Sequence, residues 1–269
     1  MDLSWLAGKA RVSFHHGEKT HPLILKSGSK TNLADLVKET TPPCYLNPFL
    51  FNGHLQTFWT AYKNAGPPIT YKRHIFSAED VRFAGTFAVD FVTSTKSDVV
   101  DETLPPRTTM YTADEFANIA SDDSKPMLIT LHGLSGGSHE IYLRHVLAPL
   151  VADGEWEALV VNSRGCAMSE ITTPILYNAR ATWDVRQTVK WCRRKFPNRP
   201  LFAIGYSLGA NILTNYLGEE GHQCLLQAAV ICSNPWNLEI SSKSLLRTWL
   251  GKEVYSKTMA DSMKKLFER

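Results

Sequence analysis

Short, uniformly apolar runs recur along the second half of the chain, at residues 127–131, 158–161, 201–204 and 228–232. Each is too short for a helix and ends in turn residues, and the first three lead into segments with helical spacing. That alternation predicts a mostly parallel sheet covered by helices on both faces. After the first run, Leu143, Val146, Leu147, Leu150 and Val151 share one helical face, and Pro149 is placed to kink or end that helix. Ala181, Val185, Val189, Cys192 and Phe196 share another face, with Arg186, Lys190, Arg193 and Arg194 pointing elsewhere and Pro197-Asn198 closing it. Residues 208–217 make a third helix, stopped by Gly218 or Gly221.

Upstream, residues 69–76 and 86–92 read as an antiparallel pair of strands, more mixed in polarity. Residues 94–124 carry seven acidic side chains against two basic ones, contain Pro105-Pro106 and show little periodicity, which predicts an exposed insertion loop. The organisation expected is an N-terminal extension over residues 1–60, an α/β core over 61–235 and the start of a cap over 236–269.

Composition narrows the function classes. The chain has 269 residues, 43% hydrophobic and 20% charged, with a formal net charge of +3. That size supports a core without disulfides or a structural metal, and the small, scattered positive charge argues against nucleic acid as a partner. Five cysteines, odd in number and without a C-x-x-C pair, read as reduced thiols. No apolar run reaches the roughly 18–20 residues of a membrane span, and the segment from Met1 to Ala7 is too short and polar for a signal-peptide core, so cytosol is the default location.

The chemistry concentrates at Gly205-Tyr206-Ser207-Leu208-Gly209, a G-x-S-x-G sequence that follows an apolar strand and opens into a helix. A serine at such a turn takes a strained backbone, and glycines two positions before and after it let neighbouring chain pass. Ser207 is the candidate nucleophile. The helix start leaves the Leu208 N–H free to donate to a developing oxyanion. A second donor is expected from the loop His132-Gly133-Leu134-Ser135-Gly136-Gly137-Ser138 after the first apolar run, and the Leu134 N–H is the candidate. His132 precedes the nucleophile in a fold whose catalytic histidine comes last, so it reads as holding the loop. Cys166 reads as a packed small residue. His15, His16, Glu18 and His21 lack the apolar shell of a metal site, and neither metal nor cofactor is expected.

Four ordered blocks, Asn47 to Thr57, His132 to Ser138, Asn162-Ser163-Arg164-Gly165-Cys166 and Gly205 to Asn211, resemble the α/β-hydrolases that include the fungal medium-chain fatty acid ethyl ester synthases/esterases. The resemblance implies an α/β-hydrolase fold and a serine carboxylesterase that can also transfer a medium-chain acyl group from an ester or thioester to an alcohol. Monoacylglycerol lipase and thioesterase are the enzymatic alternatives, and a pseudoenzyme or fragment the non-catalytic one. It also implies peripheral association with lipid droplets or a mitochondrial membrane. Ser207 maps onto the family nucleophile and Leu134 and Leu208 onto oxyanion positions, while the Asn47 and Arg164 blocks map onto signatures read as structural.

The resemblance places an acid and then a histidine well over 100 residues past the serine. Only 62 residues follow Ser207, and their one histidine, His222, is expected on the surface at the far end of the following helix. Glu239, Glu253, Asp261 and Glu268 belong to an amphipathic helical stretch. The expectation is therefore a chain holding about six of eight strands, ending within the cap, with residues 228–232 as an apolar sheet edge. Leu238, Leu245, Leu246, Trp249 and Leu250 are candidates for an acyl-facing surface.

Overall fold

The computed structural model describes residues 12–62, 65–94 and 101–268, so the N-terminal residues Met1 to Ala7 and residues 95–100 lie outside the described residues. The chain divides into two compact units, Met1–Asn64 and Ala65–Arg269. In the first, a short antiparallel pair, β1 (Pro22–Ile24) and β2 (Lys30–Asn32), leads into α1 (Leu33–Thr40) and α2 (Gly53–Tyr62). The side chain of Asn32 caps α1 by accepting the Asp35 N–H at 2.9 Å. In the Asn47 to Thr57 block, Asn47 accepts the Phe49 N–H and Asn52 the Leu55 N–H, at 2.9 and 3.0 Å. Both are local turn and cap bonds.

The second unit is built on a seven-stranded sheet. In chain order its elements are β3 (Thr70–Ser77), β4 (Thr86–Thr93), β5 (Thr108–Met110), α3 (Ala113–Ala117), β6 (Met127–Leu131), α4 (Ile141–Val151), β7 (Glu157–Val161), α5 (Trp183–Lys195), β8 (Leu201–Tyr206), α6 (Leu208–Glu220), β9 (Ala228–Cys232), α7 (Leu238–Leu246), a π-helical turn (Gly251–Tyr255) and α8 (Ser256–Phe267). The spatial order is β5-β3-β4-β7-β6-β8-β9. Strands β7, β6, β8 and β9 run parallel, while β4 pairs antiparallel with both β3 and β7.

Helices cover both faces, which is why the parallel strands are apolar at nearly every position, Thr130 and Glu157 being polar. Ile129 and Leu131 of β6, Leu159 and Val161 of β7 and Ala203 of β8 pack with Val185 and Val189 of α5 and Ile212 and Leu213 of α6. Their neighbours along the strands, Leu128, Ala158, Val160 and Ile204, turn the other way onto Leu143 and Leu147 of α4. Pro149 sits inside α4, which stops two residues later. β9 stands at the sheet edge, paired on one side with β8, and Val230 on it is 54% exposed.

The acidic stretch of residues 94–124 corrects the expectation of an unstructured insertion. It holds β5, parallel to β3, and α3, closed by a capping box between Thr112 and Glu115. β5 brings the sheet to seven strands, where about six were expected. Phe116 stacks on Trp191 with ring centroids 5.3 Å apart and on His74 at 3.4 Å. Two or three aromatic anchors dock this segment, too few to register as a periodic pattern.

Candidate active site

Strand order decides where the two glycine-rich loops meet. From β6 the chain crosses to β7 on one side and then to β8 on the other, so a crevice opens at the carboxyl ends of β6 and β8. The two strands end level, Leu131 opposite Gly205. The loop from His132 and the turn at Ser207 therefore leave the sheet side by side.

Ser207 has φ 51° and ψ −115°, a left-handed conformation unusual for a residue with a Cβ, and its side chain is exposed. Its N–H donates to the Cys232 carbonyl at 2.9 Å and its carbonyl accepts the Asn211 N–H at 3.1 Å, so the strained residue is fixed from both sides. The flanking glycines are needed for close approach: a Cβ on Gly205 would lie 2.6 Å from the Gly209 carbonyl oxygen, and one on Gly209 would lie 2.4 Å from that of His132. The backbone of β6 and its loop runs directly against the turn.

Ser207 and Leu134 line one cleft of about 490 Å³, together with Glu140, Tyr142 and Tyr206, and with Met259 from α8. The neighbours of Leu134 in the loop are committed. Gly133 donates its N–H to the Tyr142 hydroxyl at 2.9 Å, Ser135 to the Tyr177 hydroxyl at 3.3 Å, and Ser138 to the Asn162 side-chain oxygen at 3.0 Å. The N–H groups of Leu134 and Leu208 donate to no acceptor among the described residues. The free Leu134 donor and the exposed Ser207 hydroxyl line one cleft, and the free Leu208 N–H follows the serine directly in the chain, a set of groups suited to a tetrahedral oxyanion.

A buried network anchors the loop from beneath. Asp90 of β4 accepts from Arg73 Nε and Nη2 at 2.6 and 2.8 Å, from the Ser138 hydroxyl at 2.5 Å and from Asn162 Nδ2 at 2.8 Å. Arg73 Nη1 donates to the Ala167 carbonyl at 2.7 Å. His132 is fully buried, and its Nε2 accepts the Ser163 N–H at 3.0 Å, so the proton is on Nδ1, which donates to the Gly133 carbonyl at 2.6 Å. Burial lowers its pKa to about 4, and the neutral ring acts as a clamp between two loops. Arg164 forms a buried two-pronged pair with Asp184 at 2.8 and 2.9 Å, and Cys166 is buried.

His222 lies exposed in the turn after α6, and no histidine lines the cleft among the described residues. Glu239, Glu253, Asp261 and Glu268 pair with lysines four residues away on the solvent side of the helices. The apolar candidates of the last segment do not form the cleft wall: Trp249 is 72% exposed, and Thr258, Met259 and Ser262 of α8 line the cleft in their place. The helical turns are set by local periodicity, but which of their faces meets the sheet depends on the docking angle. Sequence reasoning missed Tyr142, Tyr177 and Glu140. Their only signal was membership of, or proximity to, helices read for apolar spacing.

A parallel sheet with this crossover, an exposed serine at a strained strand-to-helix turn, and a glycine loop beside it define the α/β-hydrolase fold, and residues 126–259 match the family model for that fold. The chain has this fold. It is 37% identical over 250 residues to a monoacylglycerol lipase of Saccharomyces cerevisiae, covering 87% of this chain and 54% of that protein. It is 34% identical over 242 residues to medium-chain fatty acid ethyl ester synthase/esterase 2 of the same yeast, covering 80% of this chain and 53% of the relative. The chain thus spans about half the length of these relatives. A solved esterase from Pyrococcus furiosus superposes with a TM-score of 0.48 at 18% identity over 77% of this chain and 69% of that one. No helix among the described residues is long and apolar enough to cross a membrane.

Proposed function

We propose that this chain carries the nucleophile and the oxyanion donors of a serine carboxylic-ester hydrolase acting on medium-chain acyl esters or thioesters, able also to transfer the acyl group to an alcohol. Ser207 Oγ forms a bond to the acyl carbon as its proton passes to a general base and the carbonyl π pair moves onto oxygen. The N–H groups of Leu134 and Leu208 receive that charge. Collapse of the adduct restores the carbonyl and expels the alcohol or thiol, which takes that proton from the base, and water or a second alcohol then takes the acyl group, its own proton passing through the base to Ser207 Oγ. Loss of one such donor lowers kcat by about 10²- to 10³-fold in serine hydrolases. The described cleft-lining residues include no histidine to take the Oγ proton, so the assignment covers nucleophile and oxyanion donors.

The observation that carries this reading is an exposed Ser207 in a strained turn, in the same cleft as a Leu134 whose N–H is free. The test is an alkyl fluorophosphonate: covalent mass addition mapped to Ser207 and abolished by Ser207→Ala supports the reading. Addition elsewhere, or none, refutes it. Hydrolysis of glycerol monoesters by the same preparation would favour monoacylglycerol lipase as the specific activity, the reading that the 37% identity to the yeast lipase supports.

A further inference from the structure

Tyr142, the second residue of α4, places a phenol in the cleft that holds Ser207. Its oxygen accepts the Gly133 N–H at 2.9 Å, which commits a lone pair and turns the hydroxyl proton away from that N–H. No hydrogen bond donated by this hydroxyl is found among the described residues. The half-buried phenol lines the cleft with a hydroxyl proton that donates to no described residue, so an acceptor atom of a ligand in the cleft can take it. The geometry around Gly133 says where that atom fits. A Cβ on Gly133 would lie 3.4 Å from the Tyr142 oxygen and 3.5 Å from Ser207 Cβ, so the phenol oxygen and the serine Cβ both border the space at that glycine. Glycine at 133 keeps that space open.

We propose that the Tyr142 hydroxyl is a third hydrogen-bond donor to the oxygen of the acyl group while Ser207 attacks, beside the Leu134 and Leu208 N–H groups. The proposal rests on the nucleophile reading of Ser207. Tyr142 is thereby a catalytic residue, held in its donor orientation by the Gly133 amide. Burial, with the Glu140 carboxylate nearby, raises the phenol well above its ordinary pKa of 10, so it stays protonated at any working pH. Tyr177 is the built-in comparison. Its hydroxyl also accepts a loop N–H, that of Ser135, but it does not line the cleft, so it can hold the loop and cannot donate to substrate.

The experiment is the rate of Ser207 labelling by an alkyl fluorophosphonate, resolved into kinact and KI, in the full chain and four variants. Tyr142→Phe is expected to lower kinact by about 10²-fold with KI within about twofold, the size of effect of removing one oxyanion donor. Tyr177→Phe is expected to change kinact by much less. Tyr71→Phe is the control, because the Tyr71 hydroxyl is buried without any hydrogen-bond partner. Gly133→Ala gives a second route, since its new methyl makes only ordinary contacts of 3.4 and 3.5 Å while filling the space between the two side chains, and it too should lower kinact. Full-rate labelling of Tyr142→Phe or Gly133→Ala overturns the proposal, as does an equal loss in Tyr142→Phe and Tyr177→Phe, which would mean both tyrosines merely hold the loop. An unaltered chain that does not label at all removes the nucleophile reading and this proposal with it, an outcome distinct from failure of Tyr142 alone.

Discussion

Replacing Asp90 by alanine tests whether the buried network under the candidate active site is a hub or an ornament of the fold. The carboxylate is completely buried and Arg73 is 1% exposed. Asp90 accepts four hydrogen bonds from three residues, two from the guanidinium and one each from Ser138 and Asn162. Asp90→Ala leaves the Arg73 charge in the interior with one carbonyl, that of Ala167, as partner. Removing one side of a buried ion pair costs about 3–5 kcal/mol, and orphaning a neutral buried donor about 1–3 kcal/mol more. Against a total stability of about 5–15 kcal/mol, the variant should lose about 4 kcal/mol or more. Urea unfolding followed by tryptophan fluorescence reads this as a shift of midpoint at constant slope. The double variant Arg73→Met with Asp90→Leu removes both charges together and leaves only the neutral donors unpaired, so it should recover about half of the loss. The reasoning fails if Asp90→Ala stays within about 1 kcal/mol of the unaltered chain, or if the double variant is no more stable than the single.

Gly209→Ala should destabilise the protein by about 1–3 kcal/mol by urea unfolding, because its methyl would stand 2.4 and 2.6 Å from the backbone oxygens of His132 and Leu131, atoms held by the central strand. A neutral effect would mean the turn is more loosely packed than described. Acid should weaken the fold through His132. Its pKa is lowered from 6.5 to about 4 in the folded chain, so the unfolded chain binds the proton first. The stabilisation is complete above about pH 6.5 and is lost as pH falls through about 4, amounting to about 3 kcal/mol. An NMR titration showing a folded-state His132 midpoint between 6 and 7 would contradict this.

The parallel strands and long helices of the second unit are legible in the sequence because burial on both sheet faces leaves most positions of those strands apolar and because each helix repeats its apolar face. The turn at Ser207 is legible for a related reason: a strained residue between a strand and a helix needs glycine on either side, and Gly205 and Gly209 advertise the requirement. The short β5 and α3 are not legible. They are held by a few aromatic contacts such as Phe116 on Trp191, and an acidic, proline-containing surround carries no period to announce them.

What the sequence determined by itself was therefore local: where strands give way to helices, which serine sits at the bend, and which loop is rich enough in glycine to approach it. What the tertiary structure decided was juxtaposition. The order β7-β6-β8 sets the His132 loop beside Ser207, and only then do Tyr142 and Tyr177 commit the amides on either side of Leu134 and leave its own amide free. Asp90 meets Ser138 and Asn162 across 48 and 72 residues of chain. Hydrogen bonds of that range impose no periodicity on their partners. They arise from strand order and register, and it is the fold that assembles them.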